Sequence, residues 1–158
     1  MKAILAAVDL SDASQQVLTF AETLAKALGA KLSLLHIIEP VASYAPLDGS
    51  MDLIETVPPP LLPEDIKPYE DRLAKLAEKI SAHGVQTESH AVFGMAADEI
   101  VQQATDLGAS LIILGSHGHG ALYHLFAGSV VTGVLKRTEI PVTVVPIPKV
   151  HDREAASA

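Results

Sequence analysis

The sequence predicts an α/β fold: a doubly wound, five-stranded parallel sheet in the order 3-2-1-4-5, with helices on both faces. Three observations predict it. Short runs of consecutive apolar residues recur along the chain, as expected of strands buried on both faces. Between them lie longer segments in which apolar residues return every three or four positions, the helical period. These helical segments stop at Gly29, Gly84 and Gly108, each placed as a C-terminal glycine would be. Strands joined by whole helices pair parallel through right-handed crossovers.

The elements follow in order. Ala3 to Val8 is an apolar run ending at Asp9, the first strand. Leu10, Ser11 and Asp12 make a turn, and Asp12 with Gln15 has the spacing of a capping box. Val17, Phe20, Ala21, Leu24 and Leu28 form the apolar stripe of the first helix. Lys31 to Ile38 is the second strand. From Pro40 to Pro63 the pattern fails: six prolines and Asp48-Gly49-Ser50 exclude helix and pleated strand, and so long a loop is expected to serve a function. Glu64 to His83 returns to helical spacing at Leu73, Leu76, Ala77 and Ile80. Val85 to Val92 mixes polar and apolar residues and is expected at a sheet edge. Ala96 to Leu107 is a third helix, with Ile100, Val101, Ala104 and Leu107 inward. Leu111 to Leu114 is the fourth strand, and Val130, Val131, Val134 and Leu135 mark a fourth helix running to about Arg137. Ile140 to Pro146, fenced by prolines, is the last strand.

Composition narrows the function. Hydrophobic residues are 49% and charged residues 19% of the 158, so the chain is globular. A net charge of −8 argues against a general nucleic-acid binder, which needs a basic face. There is no cysteine, hence no disulfide framework or thiolate metal site. The opening apolar run is six residues long and ends in an acid, too short for a signal core or membrane span. A cytoplasmic protein is the expectation.

The chemistry concentrates after the fourth strand. Gly115, Gly118 and Gly120 follow it, and Gly128-Ser129 opens the next helix. Glycine lets a ligand approach the backbone, and the first N–H groups of a helix attract anions, phosphate above all. In a sheet of this order the ligand crevice lies where the winding reverses, between strands one and four. Asp9 therefore stands opposite Gly115. Ser129 can donate to a phosphate and also cap its helix. Asp9 either meets a ribose or divalent ion or caps its own turn. His36, within an apolar strand, reads as a hydrogen-bonded core residue. His117, His119 and His124 lack the i, i+4 pairing of a helical zinc site, so no histidine metal site is expected.

The spacing Gly115-x2-Gly118-x9-Gly128-Ser129 resembles the nucleotide motif of the universal stress protein family. The resemblance covers nearly the whole chain. It includes Ile4 to Asp9 with Ser11, Leu34 to Ile38, Gly94, and Pro141 to Val145. It implies that residues 1–148, one domain by size, bind a nucleotide; residues 149–158 read as a flexible tail. It also implies ATP, with Mg²⁺ or Mn²⁺, as ligand. Adenine would lie by Ala7, Val8, Asp9 and the Ile37 backbone, with Leu114 bordering the sugar or base. Phosphates would lie on Gly115, His117, Gly118, Gly128, Ser129 and Val130. His119 replaces a frequent Arg or Lys, and Val131 a frequent hydroxyl residue, which bears on affinity. Met95-Ala96 replaces a frequent X-Pro, which bears on helix entry.

Three functions compete: a nucleotide-binding regulatory protein, a slow ATP hydrolase, and a nucleotide-free partner-binding subunit. No Walker lysine follows the glycines, and no Lys or Arg lies between Leu111 and Leu135, which argues against fast phosphoryl transfer. The last strand, carrying Val142, Val144 and Val145, is apolar although topology puts it at an edge. A homodimer pairing this strand antiparallel with its copy is expected, and the resemblance implies the same.

Overall fold

The computed structural model describes residues 2–40, 43–46, 53–56, 63–116 and 128–147. Five parallel strands form the main sheet: β1 (Ala3–Ala7), β2 (Lys31–Ile38), β5 (Thr87–Phe93), β6 (Leu111–Gly115) and β7 (Val142–Val145). Their spatial order is β5-β2-β1-β6-β7. Counting only these five along the chain, that is 3-2-1-4-5, as the sequence predicts. The helices are α1 (Ser14–Leu28), α2 (Pro63–Ala82), α3 (Ala96–Asp106) and α4 (Ser129–Leu135).

Alternation along the strands builds a core on each face. Ile4, Ala6, Leu32, Leu34, Leu111 and Ile113 face α1 and α2 and join Val17, Ala21, Leu73 and Ile80. Leu5, Leu35, Ile112 and Leu114 face the other way and join Ile100 and Ala104 of α3 with Val131 and Val134 of α4. The central strands are therefore apolar at successive positions because both their faces are covered. β5 is an edge strand and is half-buried along most of its length, as its mixed sequence indicates. Gly29, Gly84 and Gly108 take φ of 60°, 88° and 61°, the left-handed conformation that favours glycine at a helix end.

Three expectations need correction. The Pro40–Pro63 segment is not devoid of strand: β3 (Ser43–Pro46) and β4 (Leu53–Thr56) pair antiparallel as a separate two-stranded sheet. Both strands of such a sheet are edges, where Pro46 at the strand end is tolerated. The α1 stripe is rotated by about one position. Its buried residues are Ser14, Val17, Leu18, Ala21 and Ala25, while Phe20 is 40% and Leu28 45% exposed. Leu24 of the expected stripe is partly buried against the same core. Asp12 does not cap α1: the N-cap is Ala13, with no side-chain cap hydrogen bond. The turn is pinned by Asp9 instead. Among the described residues no helix is long and apolar enough to cross a membrane.

Candidate functional site

β1 and β6 are neighbours, in register from Ile4 opposite Leu111 to Ala6 opposite Ile113. Both leave the sheet at the same end, one into Asp9 and the other into Gly115. That end is where sheet order reverses, because β2 follows β1 on one side and β6 lies on the other.

The predicted residues divide into four groups. Ala7, Ile37, Leu114 and Val130 all belong to the apolar cluster on the α3–α4 face, as does Val92. Leu114 is buried and the other three are partly open. Gly115, Gly128 and Ser129 lie at the adjoining strand end and helix start. His117 and Gly118, together with His119 and His124, lie outside the described residues, as does the 149–158 tail.

Val8 and Asp9 form the fourth group. Val8 packs its side chain into the α1–α2 core, so it does not line the apolar crevice. Its N–H donates to the Leu35 carbonyl at 2.8 Å, and its carbonyl accepts from His36 Nδ1 at 2.8 Å. This fixes the His36 ring, which also stacks on Tyr69 at 5.2 Å between centroids. His36 is thus the hydrogen-bonded core residue expected. Asp9 secures its own loop. Its Oδ1 accepts from the Ser11 N–H at 3.0 Å, from Ser11 Oγ at 2.6 Å and from Ser14 Oγ, while its N–H donates to Ser14 Oγ. The turn-capping reading of Asp9 is the one these bonds support.

Among the described residues the α4 start is uncapped, as an anion site requires. Gly128 is the N-cap, and among the described residues no side chain caps the helix. Ser129 is the first helical residue and exposed, so it is not the cap that its sequence position allows. The first helical bond runs from the Thr132 N–H to the Gly128 carbonyl at 3.0 Å. The N–H groups of Ser129, Val130 and Val131 therefore precede the helical ladder. Gly128 has φ −57°, which any residue adopts. A Cβ there would meet only the Ser116 carbonyl, at an ordinary 3.5 Å. Among the described residues nothing in the fold demands glycine at this position, whereas close approach of a ligand to the backbone would.

Sequence reasoning missed two residues at this end of the sheet. Ser116 ties three elements together: its carbonyl accepts from the Gly128 N–H at 3.1 Å, its N–H donates to Val145 at 2.9 Å, and its Oγ accepts from the Ile147 N–H at 3.0 Å. Its signal was a hydroxyl directly after the strand-ending glycine. Glu39 Oε1 accepts the Ala96 N–H at 3.1 Å and so caps α3 from the end of β2. A cap reaching across 57 positions leaves no local pattern to read.

The comparisons with known proteins agree with this architecture. The model of the universal stress protein family matches residues 1–146. Universal stress protein YxiE of Bacillus subtilis is 35% identical over 147 residues, covering 90% of this chain and 97% of the relative. Universal stress protein MJ0531 of Methanocaldococcus jannaschii is 31% identical over 150 residues, covering 94% and 84%. The solved universal stress protein of Archaeoglobus fulgidus in complex with dAMP superposes with a TM-score of 0.62 at 25% identity, covering 94% of this chain and 98% of the other. By sequence over its whole described length, and by strand order, this chain belongs to the universal stress protein family.

Proposed function

We propose that the chain binds an adenine nucleotide, ATP as the expected form, and serves as a regulatory stress-response protein of the cytoplasm. The observation that carries the reading is the open α4 start, set beside a glycine that the described fold does not require and against the apolar cluster of Ala7, Ile37, Leu114 and Val130. A base fits against apolar walls, and phosphates fit against helix N–H groups that have no partner among the described residues. The dAMP complex of the Archaeoglobus fulgidus relative supports an adenine nucleotide. In this reading Gly115, His117, Gly118, Gly128, Ser129 and Val130 take the phosphates. Asp9 holds the β1–α1 loop in place beside the crevice. Val8 contributes as a support behind the wall.

Among the described residues no three His, Asp or Glu side chains converge as a metal cage would need. An accompanying Mg²⁺ or Mn²⁺ would be held chiefly through the nucleotide's phosphates, as Mg²⁺ commonly is. Backbone N–H groups can bind a phosphate but supply no cationic side chain to a transition state. Turnover is therefore expected to be negligible. A homodimer paired through β7 completes the proposal. Its support is the edge position of the strand and the apolar character of both its faces.

The test is to denature the purified protein in acid and identify the released nucleotide by mass spectrometry. An adenine nucleotide at near one equivalent supports the proposal. Protein that neither releases one nor binds added ATP contradicts it. Phosphate release from ATP at or above the ~1 s⁻¹ low end of ordinary enzymes would promote the hydrolase reading.

A further inference from the structure

A groove of about 710 Å³ lies between the start of α1 and the middle of α2, on the sheet face opposite the crevice described above. Leu10, Leu18 and Leu76 give it an apolar floor, and Arg72, Lys75 and Lys79 line its α2 side. The three cations sit at i, i+3 and i+7, so they share one helix face over about 10 Å. Like charges at this spacing repel and weaken a helix, so fold stability does not favour the arrangement. The chain as a whole has 19 acidic against 11 basic residues. Yet Asp12 is the groove's single carboxylate among its described lining. Asp71, four residues before Lys75, pairs with Lys67 instead. Neither Lys75 nor Lys79 joins an ion pair among the described residues.

Arg72 is held differently. Its Nη2 donates to the Leu10 carbonyl at 2.9 Å. Leu10 has φ 59°, a left-handed conformation costly for a leucine. The contact fixes the guanidinium at the mouth of the groove. Cations spread along a helix over an apolar floor do not converge on a point, as a site for one phosphate would. They match an extended chain that alternates acidic and apolar groups.

We infer that this groove docks an acidic segment of a partner protein with apolar residues interspersed, the charges meeting α2 and the apolar side chains the leucine floor. The site is separate from the proposed nucleotide site and does not depend on it. The probe is a fluorescein-labelled octapeptide alternating glutamate and leucine, titrated into the full chain by fluorescence anisotropy. A version with serine for leucine is the control, and inorganic pyrophosphate is the competitor. The expected result is saturable binding of the leucine peptide, weaker binding of the serine peptide, and loss of affinity with added salt. The double variant Lys75→Glu, Lys79→Glu should weaken binding by roughly tenfold, since it reverses two charges facing an anion. Its ATP titration and thermal midpoint should be unchanged. Should that variant fail to fold, Lys75→Gln with Lys79→Gln should give a smaller loss in the same direction. No binding, or binding that neither variant weakens, overturns the inference. Displacement of the peptide by equimolar pyrophosphate overturns it in favour of a phosphate site. Binding that appears only after removal of residues 148–158 overturns it in favour of the chain's own terminus.

Discussion

Replacing Ser14 with alanine should destabilise the protein by about 2 kcal/mol, although the residue lies far from the glycine loop in sequence. Ser14 is 5% exposed, and its hydroxyl both donates to the Asp9 carboxylate and accepts the Asp9 N–H. A hydrogen bond to a charged group contributes about 1.5–3 kcal/mol, and the Asp9 N–H is left without this partner. Alanine's better helix propensity returns at most about 0.5 kcal/mol at the first helical position. With a urea slope of about 2 kcal/mol/M, the midpoint should fall by about 1 M. Ser11→Ala is the comparison. It removes one hydroxyl bond to Asp9 but keeps the Ser11 N–H bond, at a half-buried site, and should cost about 1 kcal/mol. Both are measured on nucleotide-free protein, because ligand binding would mask the difference. Equal midpoints for the two variants, or a Ser14→Ala loss under about 0.5 kcal/mol, would refute the view that Ser14 is the principal clamp on Asp9.

Other parts of the structure give independent tests. Gly133 sits where α3 and α4 cross, and a Cβ there would meet the Ala97 Cβ at 2.7 Å. Gly133→Ala should therefore cost about 1–3 kcal/mol by overpacking, despite the gain in helix propensity, and adding Ala97→Gly should recover part of it in urea melts. Burial would raise the Glu88 pKa, but the Lys31 ammonium at 2.5 Å and the hydrogen bond from Ser33 outweigh it and hold the carboxyl below the usual range. A carboxylate depressed in the folded state stabilises above its unfolded pKa of about 4.3, and the contribution is lost as pH falls through the lower folded value. Stability measured between pH 6 and pH 3, as rough bounds, should fall less steeply for Glu88→Gln than for the wild type. Val144→Asp puts a charge on the apolar β7 edge and should convert a dimer to a monomer in light scattering. A wild type that is monomeric at micromolar concentration would end the dimer proposal.

The sheet order was legible because burial on two faces writes itself into a sequence as consecutive apolar residues. Ile4, Leu5, Ile112 and Ile113 could be nothing else once long helical segments separated them. The ends of the helices were legible through glycine, since few other residues accept the φ of Gly29 or Gly84. The face of α1 was not. Residues 17, 20, 21, 24 and 28 satisfy the helical period as well as 14, 17, 18, 21 and 25 do, and only packing distance selects the smaller set. Asp12 and Ser129 each have the identity of a cap without the role. A neighbouring element had already fixed the backbone: the Asp9 carboxylate in the first case, and the Gly128–Ser116 bond in the second. At the candidate site, Ala7, Ile37, Leu114 and Val130 were implied by the resemblance, and all four belong to the apolar cluster on the α3–α4 face. Val8 was implied by the resemblance as well, and strand alternation turns its side chain to the opposite core.

The most direct test of the nucleotide site is calorimetric titration of ATP into the wild type and Gly128→Val. Valine adopts φ −57° without strain, and among the described residues its Cβ meets ordinary contact only, so the variant should fold, with a thermal midpoint lowered by no more than the loss of about 1 kcal/mol that valine brings at an N-cap. If phosphates approach the backbone at the start of α4, the wild type should bind one ATP per chain and the variant should show no measurable heat of binding. Equal affinity in the two proteins would contradict the account and place the nucleotide elsewhere.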